Sequence, residues 1–175
     1  MTDTASATAG TVPKAGDGQA RPKAPFAATL TEMDGRCNCT ASRRATRYLT
    51  AAYDKALTPV GLRTTQFNIL HRLALEGRTT ITALAQRIAM DRTTLATNLK
   101  PLVRDGLLIV QPSDTDRRAR AVEITDVGLD RLEEAVPLWK AAQDQFESTF
   151  GAAEAAELRA ALRAVLETGF DPWAE

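Results

Sequence analysis

Two short β-like runs stand in a chain whose other apolar residues recur at helical spacing. The first run, Leu107 to Val110, follows Gly106, and the second spans Ala121 to Ile124. Between them lie turn-forming residues and then arginines, which is the composition of a hairpin with a basic tip. On both sides, apolar side chains repeat every three or four residues, as in amphipathic helices. A mainly α fold with one small β-hairpin is therefore predicted.

Apolar periodicity and capping signals predict six helices around this hairpin. Pro101 lies inside the fourth helix, where it removes the hydrogen bond to the Thr97 carbonyl and should bend the chain. The apolar spacing continues through Pro101, so one kinked helix is predicted rather than two. The approximate bounds of the six helices are 36–58, 64–77, 81–89, 91–105, 126–150 and 152–168.

The first 28 residues contain eight Ala, four Thr, three Gly and three Pro, with almost no large apolar side chains. Such a segment cannot bury enough surface to offset the loss of chain entropy on folding. A disordered tail over residues 1–30 is therefore predicted.

Charge is unevenly distributed, although 22 basic residues balance 22 acidic ones over the whole chain. Residues 36–86 carry eight basic and two acidic side chains, residues 87–120 carry seven and four, and residues 121–175 carry four and twelve. Such asymmetry is a recognised hint of nucleic-acid contact. The larger excess of basic side chains lies in residues 36–86. Some of these side chains are therefore available to pair with the acidic C-terminal helices or with a ligand carboxylate.

Several classes of protein are disfavoured. No apolar run approaches the roughly 20 residues that cross a bilayer, and no secretory signal is visible, so a cytoplasmic protein is expected. Two cysteines are too few and too close for a disulfide scaffold. One histidine, His71, and no Cys/His cluster argue against a zinc site, so no metal or cofactor is expected. No nucleophile–base–acid set, Gly-x-Ser-x-Gly or phosphate-loop pattern is present, which disfavours an enzyme.

A short helix, a tight turn and a second helix with small polar residues on its exposed face match the helix-turn-helix pattern, and the basic hairpin makes it a winged helix-turn-helix. With these elements the chain resembles the MarR family of bacterial transcriptional regulators over residues 36–168. The resemblance rests on ITALA at 81–85, MDRTTL at 90–95, LVRDGLL at 102–108, and Asp116–Arg118 followed by ITDVG at 124–128.

The resemblance implies a homodimer with an all-helical dimerisation region, residues 36–58 and 126–168, and a winged DNA-binding domain, residues 62–125. The two winged domains of such a dimer would bind the two halves of a near-palindromic operator in double-stranded DNA.

A helix that enters the major groove needs short polar side chains near its N-terminus so that its backbone can approach the bases. Threonine hydroxyls and methyls, an amide suited to adenine and an arginine for guanine or phosphate supply these groups. The predicted base-contacting residues are Arg92, Thr93, Thr94, Thr97, Asn98 and Lys100. Thr82 and Arg87, on the preceding helix, are predicted contacts to the DNA backbone. The competing interpretation is an ordinary solvent-facing helix.

In the hairpin, Arg118 matches the family arginine that enters the minor groove, where negative potential attracts a guanidinium. Asp116 is predicted to orient a neighbouring arginine through a charge-assisted pair. Arg117 and Arg120 are candidates for phosphate contacts. The competing interpretation is a solvated run of charges.

Many relatives bind a small, often aromatic and anionic effector between the dimerisation helices and the winged domain. A buried arginine or histidine would pair with the carboxylate of such a ligand. The candidate ligand residues are Cys39, Ser42, Arg43, Arg44 and Arg47 on the first helix and Thr65, Gln66 and His71 on the second. The alternative is that these arginines are solvated and the histidine is structural.

Cys37 and Cys39 begin the first predicted helix, where thiols beside arginines are expected to be reactive. Peroxide-sensing members of the family carry a reactive cysteine here, and alignment through Arg47 places the match on Cys39. Those sensors also use two tyrosines at the start of the next helix, where this chain has Thr64 and Phe67.

The resemblance thus implies a ligand-responsive regulator, a repressor that a small aromatic acid releases from its operator. Two alternatives stay open. One is a thiol-based redox-sensing regulator on the same fold, and the other is a winged-helix protein-interaction module without a DNA target.

Overall fold

The computed structural model describes residues 23–113 and 118–169, and in these ranges the fold is mainly helical with one small antiparallel sheet. None of the helices in these ranges is long and apolar enough to cross a membrane. The helices are α1 Ala24–Arg36, α2 Asn38–Leu57, α3 Thr64–Glu76, α4 Ile81–Arg87, α5 Arg92–Arg104, α6 Asp126–Phe150 and α7 Ala152–Leu166, and the strands are β1 Thr79–Thr80, β2 Leu108–Pro112 and β3 Arg120–Ile124. The chain divides within α2 into two compact units, residues 1–44 and 45–175.

Helix α1 corrects the prediction of a disordered tail as far as residue 30, because residues 24–36 are helical. Alanine is the strongest helix former, and Pro25 fits the first turn of a helix. Arg36 adds an ion pair of 2.6 Å to Glu32, one turn earlier. The scarcity of large apolar side chains indicated the absence of a core, and no residue of α1 is buried. Residues 1–22 of the predicted tail lie outside the described residues.

Capping residues confirm the predicted starts of α5 and α6, whereas the N-cap of α3 is Arg63 and not Thr64 or Thr65. The Asp91 carboxylate accepts the Thr94 N–H at 2.8 Å at the start of α5, and Thr125 Oγ1 accepts the Gly128 N–H at 3.0 Å at the start of α6. Helix α5 continues through Pro101 as one helix, as predicted.

The core of the second unit forms where helices α3, α4 and α5 meet the sheet. Leu57 at the end of α2 and Leu132 of α6 belong to the same cluster, so both long helices are packed against the winged part of the unit. Each fully buried leucine contributes about 2 kcal/mol to stability. The largest fully buried side chains are Leu57, Ile69, Leu70, Leu73, Leu84, Leu95, Leu102, Leu108 and Val122.

The sheet has the strand order β1-β3-β2, and both pairings are antiparallel. Strands β2 and β3 are the predicted hairpin, whereas β1 was missed because two residues are too few to show periodicity. Val122 in the central strand pairs with Val110 and with Thr79, and its side chain is fully buried. The middle of the hairpin is thereby anchored in the core.

The turn between α4 and α5 depends on Ala89, whose φ of 50° is the only positive value for a non-glycine residue in the described ranges. The left-handed conformation reverses the chain within a few residues, and the Met90 N–H donates to the Ala85 carbonyl at 2.9 Å. This turn sets the angle between the two helices of the motif.

Candidate nucleic-acid interface

Helix α5 has one buried and one exposed face. Leu95, Leu99 and Leu102 are buried against the core. Ala96 was missed by the sequence analysis because a methyl side chain is counted as apolar, although it lies on the polar side of the helix. Short side chains on this side let the helix backbone approach base edges. The exposed residues between positions 92 and 100, called here the reading face, are Arg92, Thr93, Thr94, Ala96, Thr97 and Lys100.

Two of the predicted base-contacting residues use a polar group inside the helix. Thr97 Oγ1 donates to the Thr93 carbonyl at 3.0 Å, and Asn98 Nδ2 donates to the Thr94 carbonyl at 2.9 Å. Thr97 is exposed, and its hydroxyl oxygen can still accept a hydrogen bond while it donates to Thr93. Asn98 is half-buried and would have to give up its bond to Thr94 before that amide hydrogen could reach a base.

Helix α4 carries the two predicted contacts to the DNA backbone, and they differ in their surroundings. Thr82 is exposed in the first turn of α4. Arg87, at the end of α4, forms an ion pair with Glu76 at the end of α3. Arg72 also pairs with Glu76, at 3.2 Å. Glu76 therefore competes with any phosphate for the Arg87 guanidinium.

The two ion pairs also set the protonation of Glu76. Desolvation raises the pKa of the Glu76 carboxyl, but hydrogen bonds from Arg87 and Arg72 outweigh this effect and hold the pKa below its ordinary value. The carboxylate is consequently charged at neutral pH and ties α3 to α4.

The hairpin of β2 and β3 is called here the wing. Its described part contains two of the four residues that the sequence predicts to form the DNA-binding site of the wing. Arg118 and Arg120 are exposed. Arg120 Nη2 donates to the Val110 carbonyl of the paired strand at 3.3 Å. Asp116 and Arg117 lie outside the described residues. The described part of the hairpin thus carries two exposed arginines.

A further arginine, Arg78, contacts the wing and was not singled out from the sequence. Its Nη2 donates to the Pro112 carbonyl at 3.0 Å. The two residues are 34 positions apart, and no local pattern connects them. Only the fold of the sheet brings them together.

Thr125 joins three elements behind the reading face. Its Oγ1 donates to the Gly106 carbonyl at 2.7 Å while accepting the Gly128 N–H, and its own N–H donates to the Leu107 carbonyl at 3.1 Å. The end of α5, the end of β3 and the start of α6 are therefore fixed to one another.

Asp54 connects the end of α2 to the start of α3, as Thr125 connects β3 to α6. Its Oδ1 accepts the Thr64 N–H at 2.7 Å, and its Oδ2 accepts a hydrogen bond from Arg63 Nη1 at 3.1 Å. Burial raises the pKa of the Asp54 carboxyl, but the hydrogen bonds from Thr64 and Arg63 outweigh burial and keep the pKa below its ordinary value.

The predicted ligand residues fall into both compact units. Four of them, Cys39, Ser42, Arg43 and Arg44, are exposed on the first turns of α2 in residues 1–44. In the second unit, Arg47 is exposed on α2, Thr65 and Gln66 are half-buried at the start of α3, and His71 is exposed in the middle of α3. Gln66 Oε1 accepts the Arg63 N–H at 2.8 Å.

Three rings form a stack between α3 and α6. The His71 ring lies parallel to Phe67, with centroids 6.2 Å apart and planes 2° apart. Phe67 in turn stacks on Trp139 at 6.1 Å and 15°. Phe67 is buried, whereas His71 and Trp139 reach the surface. An aromatic surface is thus available next to a group that can carry a positive charge.

Cys37 occupies the N-cap position of α2. Its Sγ accepts hydrogen bonds from Thr40 Oγ1 at 3.1 Å and from the Thr40 N–H at 3.4 Å, and these bonds lower the pKa of the Cys37 thiol. Cys37 and Cys39 are both free and exposed. In the part of the chain that the structure describes, no three His, Cys, Asp or Glu side chains are grouped to hold a metal ion.

Helix α4, the turn at Ala89 and helix α5 form a helix-turn-helix, and the basic hairpin of β2 and β3 is its wing. Together these elements define a winged helix-turn-helix protein. The model of the MarR family matches residues 60–119. The solved DNA complex of the transcriptional regulator MosR from M. tuberculosis is 39% identical, with a TM-score of 0.62, and the match covers 74% of this chain and 98% of that one. The chain therefore belongs to the MarR family of DNA-binding transcriptional regulators, whose members are not enzymes.

Two other solved structures are similar in fold. Mutant MarR from E. coli, complexed with operator DNA, is 21% identical with a TM-score of 0.68, covering 77% of this chain and 96% of that one. The transcriptional repressor CouR, bound to a 23-mer DNA duplex, is 23% identical with a TM-score of 0.69, covering 77% of this chain and 95% of that one. No curated protein sequence matches the chain significantly.

Proposed function

We propose that this chain is a homodimeric repressor that binds a near-palindromic operator and is released from it by a small aromatic acid. The observation that carries the DNA-binding mode is the reading face of α5, which combines short side chains with Arg92 and Lys100 and lies in one unit with the wing arginines. The solved complex of the 39% identical MosR with DNA supports this mode.

The contacts within this proposal follow from exposure and bonding. Thr93 and Thr97 contact base edges, and the Ala96 methyl suits a thymine methyl. Arg118 enters the minor groove, and Thr82 contacts the DNA backbone. The weaker candidates are Asn98, whose amide donates to Thr94 within the helix, and Arg87, which is paired with Glu76.

Selection from random duplexes tests DNA binding and identifies the operator in one experiment. The purified protein selects duplexes from a random pool, and the binding of the enriched sequence is then titrated with salt. Each phosphate neutralised by a cation lowers the slope of log K against log salt by about 0.9, so several contacts give a slope of about −4 or steeper. Enrichment of no sequence would exclude the operator and favour the protein-interaction module.

The dimer is supported by apolar side chains that the second unit leaves exposed. On α7, Leu162, Val165 and Leu166 form one stripe at spacings of three and four residues. Soluble monomers rarely expose contiguous apolar patches of this kind. A second copy related by two-fold symmetry would cover them, with residues 36–58 and 126–168 as the dimerisation region.

A groove between α2 and α6 belongs to the same proposed interface. It has a volume of about 700 Å³ and is lined mainly by apolar and aromatic side chains, among them Tyr48, Ala52, Leu138 and Phe146. In a dimer whose long helices intertwine, helices of the second copy would fill this space.

Sedimentation velocity tests the dimer directly. Leu162→Asp places a charge in the α7 stripe and is expected to shift the protein to monomer at micromolar concentration. Leu75→Asp is the matched control, because Leu75 is exposed on α3 outside that stripe. A monomeric parent protein, or a dimer that Leu162→Asp leaves unchanged, would contradict the proposed interface.

An aromatic acid as effector is supported by the stack of His71, Phe67 and Trp139, which offers a ring surface next to an imidazole. Benzoate is the probe, and cyclohexanecarboxylate is the control that keeps the charge and loses the aromatic ring. Benzoate is expected to raise the melting temperature and to release DNA. Equal effects of both acids would remove the aromatic preference, and no effect of benzoate or other aromatic acids would remove the ligand class.

A second candidate, thiol-based redox sensing, is favoured by one observation, the two hydrogen bonds from Thr40 that stabilise a Cys37 thiolate. That thiolate would attack one oxygen of hydrogen peroxide, break the O–O bond and form a sulfenic acid, with hydroxide leaving as water after protonation. The resemblance to peroxide sensors pointed to Cys39, whereas these bonds are made by Cys37.

Single variants separate the two thiols. Peroxide is expected to release DNA from the parent protein and from Cys39→Ser, and to leave Cys37→Ser bound. If Cys37→Ser is released as readily as the parent, the Cys37 thiol is not the switch.

A further inference from the structure

We propose that Arg78 is a positioning residue for the wing, which holds the hairpin where Arg118 can meet DNA. This inference rests on the proposed function, in which the wing contacts the operator. Arg78 itself lies outside the helix-turn-helix reading face and outside the hairpin, and it acts through a carbonyl of the hairpin backbone.

The geometry of the contact spans the sheet. Arg78 directly precedes β1, and β1 and β2 lie on opposite sides of the central strand β3. Arg78 Nη2 nevertheless reaches the carbonyl of Pro112, the last residue of β2, at 3.0 Å. The guanidinium therefore joins the segment before one edge strand to the far end of the other.

Pro112 is the point where such a bond has the most influence on the hairpin. It is the last residue of the β2–β3 ladder, in which it pairs with Arg120. Just beyond it, Ser113 is buried and its N–H donates to the Ala119 carbonyl at 2.9 Å. Arg118 directly precedes Ala119, so it lies next to this end of the ladder.

The guanidinium of Arg78 is a suitable donor for holding the hairpin in one position. A hydrogen bond from a charged donor is stronger than one between neutral groups, and the planar guanidinium constrains the direction of approach. A carbonyl oxygen has two lone pairs, and the Pro112 carbonyl uses one of them to accept the bond from Arg78. A guanidinium used in this way orients the wing instead of serving as one more phosphate contact.

A double-mutant cycle on the operator duplex tests this role. Arg78→Ala is expected to weaken binding about five- to tenfold in the parent protein and less than twofold in an Arg118→Ala background. Arg63→Gln is the charge-matched control, since Arg63 is exposed in the same unit, lies before α3 and pairs with Asp54. The melting temperature of each variant, and of Arg78→Gln, tests whether the fold is kept.

Salt dependence provides the second readout. In the Arg118→Ala background, Arg78→Ala is expected to leave the slope of log K against log salt unchanged, whereas loss of a phosphate contact made by Arg78 itself would reduce its magnitude by about one. Equal losses of affinity in both backgrounds, no loss in either, or a slope that Arg78→Ala reduces in the Arg118→Ala background would each overturn the positioning role. Failure of the parent protein to bind any duplex would instead overturn the proposed function on which the role rests.

Discussion

The backbone of Gly128 packs against the carbonyl oxygen of Leu107 so closely that no β-carbon fits between them. Ile124 closes the same space from the side. Gly128 lies in the first turn of α6, and its N–H is the one that Thr125 caps. A glycine in a helix normally lowers stability, so its presence here is explained by the close approach of the chain after α5.

Gly128→Ala is therefore expected to destabilise the protein, although alanine is the better helix former. The added methyl collides with backbone, which cannot move as a flexible side chain does, and the expected loss is about 2–3 kcal/mol. Urea unfolding followed by circular dichroism measures this loss. Gly35→Ala is the control, because Gly35 is a helical glycine with open space around it. A Gly128→Ala protein as stable as the parent would contradict the packing.

Thr125→Val is expected to lower stability by about 1–3 kcal/mol, because it removes the helix cap and leaves the Gly106 carbonyl without its donor. Thr125→Ser keeps the hydroxyl and is expected to stay within about 0.5 kcal/mol of the parent. Equal losses in the two variants would assign the effect to the methyl group, and the hydroxyl bonds would then be unimportant.

Much of the fold was predictable because its signals are local. The caps Asp91 and Thr125 and the glycines at 77, 106 and 151 mark where helices start and stop, and two short β-forming runs on either side of turn-forming residues mark the hairpin. Helix α1 was missed because a low content of large apolar residues was interpreted as disorder. The same segment has Ala-rich composition and an i,i+4 ion pair, which are helical signals.

The class of the candidate site, a DNA-binding helix with a wing, could be predicted from the sequence. The burial and the bonding partners of its individual residues could be predicted less well. Threonines near the start of a helix with short polar side chains indicated the reading face. The structure adds Ala96 to this face and shows that Asn98 is half-buried. The partners of Arg87 and Arg78 could not be predicted, since Glu76 and Pro112 are 11 and 34 positions away and no periodic pattern links them. Contacts of this kind depend on how the elements pack.

Ala89→Gly is expected to stabilise the protein by up to about 1 kcal/mol, because a left-handed conformation strains a residue that has a β-carbon and does not strain glycine. Ala96→Gly is the matched control. It removes the same methyl from a regular helix and is expected to cost about 1 kcal/mol. Differential scanning calorimetry distinguishes the two signs, and a loss of stability in both variants would contradict strain at Ala89.

Asp54→Asn is expected to destabilise the protein at pH 7 and to have little effect at low pH. The folded pKa of Asp54 is lowered, so its carboxylate stabilises the fold above the ordinary aspartate range and this stabilisation is lost as pH falls through the folded pKa. Urea unfolding of both proteins at about pH 7 and below about pH 4 measures the difference, which should shrink on acidification. A difference that is constant with pH would show that the charge of Asp54 has no part in it.

The central claim is that the exposed face of α5 binds DNA, and the most direct test is the operator affinity of Thr97→Asp. Thr31→Asp is its match, because both threonines are exposed in a helix and donate to the carbonyl four residues earlier. A carboxylate on the reading face would meet base edges and phosphates, so Thr97→Asp should bind the operator roughly 100-fold more weakly or worse, equivalent to about 2.7 kcal/mol. Thr31→Asp should bind as the parent does. Unchanged affinity in folded Thr97→Asp would contradict the assignment of α5.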